Sequence, residues 1–117
     1  MDLVDLVRLL CRKDALGART WMEASRRAGF DWALVPQPSG MDPLGMAVAA
    51  GVTEMLALRA GKTPPAWTAG IPGVDGPVFL VRAAEVMPRL RRLCESHGPE
   101  PLRSRGILAP PEFLTAA

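Results

Sequence analysis

The sequence predicts an all-α protein: a small bundle of four to five helices with a long Pro/Gly-rich loop and an extended C-terminal tail. Three observations lead there. Apolar residues fill 49% of the 117 positions, aromatic residues only 5%, and tyrosine is absent, so much of the apolar content is alanine, which suits close helix packing. Apolar residues recur at helical spacing in several stretches that open on capping residues. Elsewhere prolines and glycines cluster too densely for regular structure. The length allows a single domain, 1–117, comprising an N-terminal helical part (1–61), a Pro/Gly loop (62–77), a helix (78–98) and a tail (99–117).

From Asp2 to Lys13, Leu3, Leu6, Val7 and Leu10 form one stripe, with Val4 and Cys11 beside it and Asp5, Arg8 and Arg12 opposite, which is an amphipathic helix. Asp14 is placed to cap a second helix, with Ala18, Trp21, Met22, Ser25 and Ala28 on one side and Arg19, Glu23, Arg26 and Arg27 on the other. Gly29 ends it and Phe30 packs back on it. "DWALVPQPSG" reads as a connecting loop with one helical turn at 31–34. In "MDPLGMAVAAGVTEMLALRAG", Asp42 is the N-cap, Pro43 the first helical residue and Gly61 the stop. This helix is apolar on nearly every side, so it is the expected centre of the core, where Gly45, Ala47, Ala49 and Gly51 admit close neighbours.

"KTPPAWTAGIPGVDGP" then breaks all periodicity with four prolines and Gly70, Gly73 and Gly76; it is expected to be a hinge or linker. "VFLVRAAEVMPRLRRLCESHG" returns to helical spacing, with Phe79, Ala83, Val86, Met87, Leu90, Leu93 and Cys94 predicted on one face. Pro88 either kinks this helix or opens a second one. Glu85 with Arg89, and Arg91 with Glu95, are spaced for ion pairs worth about 0.3–0.5 kcal/mol each. The final "PEPLRSRGILAPPEFLTAA" has four prolines and no room for a long helix, yet it carries Ile107, Leu108, Phe113 and Leu114.

Chemistry-bearing residues are sparse. The single histidine, His97, sits in the helix-stop signal "SHGP", where a basic group is favoured by the C-terminal end of the helix dipole. Cys94 and His97 have metal-ligand spacing, but two ligands do not close a tetrahedral site. "GIPGVDGP" lacks the preceding strand that a phosphate loop requires. The sequence therefore predicts no enzyme, no catalytic residue, no cofactor and no metal. Cys11 and Cys94 lie in apolar helical patterns and "MDLVDLVRLL" shows no basic leader pattern, so a cytoplasmic chain with free thiols is expected. The apolar stretch from Pro43 to Thr53 is too short to span a bilayer.

The net charge of +2 is too balanced by itself to imply non-specific nucleic-acid binding, although twelve of the fourteen basic residues are arginine. From Arg82 to Arg105, six arginines stand against Glu85, Glu95 and Glu100. This stretch is either a solvated face or a contact surface for an acidic partner or nucleic acid. Trp67 in "PPAWT" is either an intramolecular clamp under the loop or an interface anchor.

The elements "PPAW", "GPVFL" and "RLRRLCESHGPEPLRSRGILAPPEFL", in that order and roughly that spacing, resemble the C-terminal half of small bacterial antitoxin-like proteins encoded beside nucleotidyltransferase-fold toxins. The likeness covers a little under half of the chain. It implies a non-enzymatic antitoxin that neutralises a nucleotidyltransferase-like toxin by direct binding. The matching positions implicated in partner binding are Trp67, Phe79, Arg89, Arg92, Arg103, Arg105, Ile107, Leu108, Phe113 and Leu114. Several such relatives carry a helix-turn-helix ahead of this region; here a Pro-rich loop separates the second and third helices, far longer than the usual turn. A small helical DNA-binding or regulatory protein is the alternative, and for the tail the alternative is a clasp over the chain's own helices.

Overall fold

The computed structural model describes residues 2–115; Met1, Ala116 and Ala117, included in the predicted domain and tail, lie outside the described residues. The protein is mostly helical with one very small sheet. α1 (Leu3–Cys11) and α2 (Ala15–Arg27) pack against each other, each started by an aspartate whose carboxylate accepts a backbone N–H: Asp2 from Val4 and Asp14 from Gly17. Each such cap is worth about 1 kcal/mol. Lys13 makes the turn between them in the left-handed region, φ 58°, while the amides of Lys13 and Asp14 cap carbonyls of Leu10 and Leu9.

α3 (Pro43–Arg59) runs through the centre, capped by Asp42 on the Gly45 N–H and buried on nearly every side. Leu6, Val7 and Leu10 of α1 pack in the core that surrounds it. Trp21, Phe30 and Trp32 close one side of that core as an aromatic cluster with centroid separations of 4.7–6.0 Å. The residues predicted to hold the core faces of these three helices hold them, except Ala28, which caps the end of α2 and is exposed.

The second half departs from the expected single helix over 78–98. After the one-turn helix α4 (Ala66–Ala69), Val78–Phe79 forms a strand, β1, instead of a helical turn. It pairs in parallel with β2 (Ile107–Leu108), Val78 opposite Ile107 and Phe79 opposite Leu108. A helical turn, α5 (Ala83–Val86), follows, and Pro88 opens a separate helix, α6 (Pro88–His97). The proline has no N–H to continue α5, and its ring fits the first turn of α6. The break separates Glu85 from Arg89, and neither predicted ion pair forms among the described residues. Glu85 instead pairs with Lys13, and Arg91 donates to the carbonyls of Ala84 and Glu85.

The tail folds back. α7 (Glu100–Arg103) lies against α3, close enough that a Cβ added to Gly51 would sit 2.6 Å from Leu102 Cδ2 and 3.1 Å from the Pro101 carbonyl oxygen. Gly106, at φ 79°, then turns the chain into β2, where a Cβ would collide with the Val74 carbonyl. The loop of 62–77 is likewise fastened: the Val74 amide donates to the Arg105 carbonyl at 2.9 Å, and Trp67 Nε1 donates to the Val35 carbonyl at 2.7 Å.

Candidate functional site

Of the ten positions singled out by sequence, the structure brings most into the chain's own interior. Ile107, Leu108 and Phe113 are buried, and Leu114 is half-buried with φ 59°. The guanidinium of Arg59 reaches the Phe113 carbonyl and donates to the Pro111 carbonyl at 3.0 Å, and burial pulls its pKa below the usual arginine range. Arg105 is buried. Its Nε donates to the Ile71 carbonyl, Nη2 to Thr68, and Nη1 to both Pro101 and the Glu54 carboxylate. Arg103 donates to the Ser96 carbonyl at 2.5 Å. Trp67 is held by Val35, and half-buried Phe79 packs beneath the Arg91 guanidinium, 5.3 Å from its ring centroid.

Arg89 and Arg92 differ. Both are exposed on α6, and among the described residues neither pairs with a carboxylate. Beside them lie three apolar side chains that the sequence predicts on a core face and the structure exposes: Val86 (79%), Met87 (52%) and Leu93 (38%). The physical reason is the break at Pro88. Once the segment splits, α6 is held through buried Cys94 and half-buried Leu90, which join Ala84, Leu108, Phe79 and Val81 in a small second cluster, and the remaining apolar groups turn outward. The signal was in the sequence: a proline two residues after Val86 restarts the helix and shifts the phase of the stripe.

The electrostatics of this face follow from its pairings. Lys13 engages Glu85 and holds that carboxyl below the usual carboxylate range. Arg91 is turned inward onto carbonyls and the Phe79 ring. A shallow hollow of about 230 Å³ lies between Glu85, Val86, Pro88, Arg91 and Arg92. This face thus joins the exposed Val86, Met87 and Leu93 to the exposed guanidinium groups of Arg89 and Arg92.

No family model, no curated protein and no solved structure matches this chain. Among the described residues no three His, Cys, Asp or Glu side chains converge on a point where a metal ion would sit. Among the described residues no helix is long and apolar enough to cross a membrane. Function is therefore read from this face.

Proposed function

We propose that the protein is a non-enzymatic, cytoplasmic antitoxin that binds a nucleotidyltransferase-like toxin directly, and that the α5–α6 face is its contact surface. The observation that carries this reading is the exposure of Val86, Met87 and Leu93 next to unpaired Arg89 and Arg92. Such groups gain most when a partner removes them from water and supplies carboxylates. Nucleotidyltransferase-fold enzymes hold their catalytic metals with acidic residues, so a surface of this sign suits the rim of that site. The resemblance of "RLRRLCESHGPEPLRSRGILAPPEFL" supports the same partner. In this reading Trp67, Phe79, Arg103, Arg105, Ile107, Leu108 and Phe113 act from within, by shaping and fixing the platform that carries α6.

The DNA-binding alternative has less to work with. Of the six arginines between Arg82 and Arg105, three donate to the chain's own carbonyls, which leaves Arg82, Arg89 and Arg92 for phosphates. Three phosphate contacts give a salt slope of about −2.7, whereas a largely apolar protein interface changes little with salt.

The test is co-expression with the nucleotidyltransferase-fold product of an adjacent gene, followed by pull-down and a growth assay. The wild-type chain is expected to bind and restore growth. Val86→Asp/Leu93→Asp and Arg89→Glu/Arg92→Glu are expected to fold normally and do neither. Equal neutralisation by both double variants would remove the α5–α6 face from consideration. An unrelated neighbour, or no binding by the wild-type chain, would overturn the antitoxin reading itself.

A further inference from the structure

A groove of about 580 Å³ runs along one side of α2, apart from the exposed face of α6. Ala18 and Met22 line it from α2, Leu10 from the end of α1, and Leu80, Phe113 and Leu114 from the later segments. Its lining extends along α2 from Asp14 to Arg26, about 18 Å at 1.5 Å per residue. That volume lies within the span of small-ligand sites, about 300–1,000 Å³.

The charges on its rim decide what kind of ligand. Lys13 is engaged by Glu85, and Asp14 is occupied in capping α2 on the Gly17 amide. What remains is Arg19 and Arg26 on α2 and Arg82 on the facing segment, against Glu23. Among the described residues, none of the three arginines forms an ion pair. An elongated apolar lining with an excess of free guanidinium groups is complementary to a molecule with one aliphatic chain and one anionic head.

We propose that this groove binds a free long-chain aliphatic carboxylate. The alkyl chain lies along the half-buried Val81 and Leu114, over a floor formed by Ala18, Met22, Leu80 and Phe113, and the carboxylate is held by the rim arginines. The proposal stands independently of the antitoxin reading, because the groove is lined by none of Val86, Met87, Arg89, Arg92 and Leu93 and needs no protein partner. Binding is non-covalent and should tighten about fourfold for each methylene added, until the chain fills the groove.

Titration calorimetry of the full chain with dodecanoate below its micellar concentration tests it. The expected result is saturable one-to-one binding, weaker decanoate binding, at least tenfold weaker binding of neutral dodecanol, and a tenfold or greater loss in Arg19→Glu/Arg82→Glu with an unchanged melting temperature. Equal binding of dodecanol would overturn the role of the arginines without requiring any variant. Absence of saturable binding would overturn the proposal outright. So would preferential binding of an acidic amphipathic peptide or of anionic phosphatidylglycerol vesicles over dodecanoate. Binding only to a chain ending at Thr115 would also overturn it, by showing that residues 116–117 compete for the groove.

Discussion

Arg105 Nη1 lies 2.6 Å from Glu54 Oε1, with the two side chains only 9% and 19% exposed. The pair joins α3 to the segment after α7, and the same guanidinium gathers the carbonyls of Thr68, Ile71 and Pro101. One planar cation thus fastens α4, the Pro/Gly loop and the tail to the central helix. Lysine cannot replace it, because a single ammonium cannot reach acceptors spread around a fork.

Arg105→Ala should therefore destabilise the fold by about 3–5 kcal/mol, the range for breaking a buried ion pair from one side. Glu54→Gln, which keeps a hydrogen-bond acceptor, should cost less. Urea unfolding of the two single variants and the double variant checks this. Additive losses would mean that the two side chains do not interact, and a loss below about 1 kcal/mol for Arg105→Ala would contradict the hub.

Gly51→Ala is expected to destabilise although alanine is the better helix former. The added methyl would meet Leu102 Cδ2 and the Pro101 carbonyl, and overpacking of this kind costs about 1–3 kcal/mol. Combining it with Leu102→Ala should cost less than the sum of the two single changes, since the shortened side chain vacates the space that the methyl needs. A more stable Gly51→Ala, by thermal melting, would show that α7 is not pressed against α3.

Ending the chain at Gly98 should abolish cooperative folding. It removes Leu102, Ile107 and Ala109, all fully buried, together with Phe113 and the Arg105 hub. A single buried leucine truncation costs about 2–5 kcal/mol, and a whole domain is stable by only about 5–15. Far-UV circular dichroism on heating should show a broad, uncooperative decline. A sharp melt within a few degrees of the full chain would mean that the tail is dispensable to the fold, which would free its apolar residues for a partner.

The helices of the first half were legible because each carries its own punctuation: Asp14 and Asp42 as caps, Pro43 at the first turn, Gly29 and Gly61 after the ends. The strand pair was not. Val78–Phe79 and Ile107–Leu108 are two residues each, too short for any alternation, and they lie 29 positions apart, so nothing local announces that they meet. The candidate face was hidden by the same limitation. Continuing one helical phase across Pro88 put Val86, Met87 and Leu93 inside, whereas the restart after the proline puts them outside. Arg105 read as surface charge because its carboxylate partner, Glu54, lies on another element and its carbonyl partners carry no sequence signal.

The two cysteines report on the two halves of the molecule separately. Cys11 is exposed at the end of α1; Cys94 is fully buried in the second cluster, under Leu108 and Ala84. Burial pushes both thiols above their ordinary range, which lowers the reactive thiolate fraction, so labelling by a maleimide is best followed at mildly alkaline pH. One thiol should react in the native protein and the second only as α6 opens. An opening free energy of about 3 kcal/mol would slow Cys94 at least a hundredfold relative to Cys11. Phe79→Ala removes the ring that packs beside this cluster and beneath Arg91, so it should speed Cys94 labelling while leaving Cys11 unchanged. Faster Cys94 labelling at an unchanged melting temperature would show that α5 and α6 open as a local unit on a stable α1–α3 core. A melting temperature lowered in step with the faster Cys94 labelling would instead mean that the two halves unfold together, and equal rates in the wild-type chain would show that Cys94 is not buried in solution.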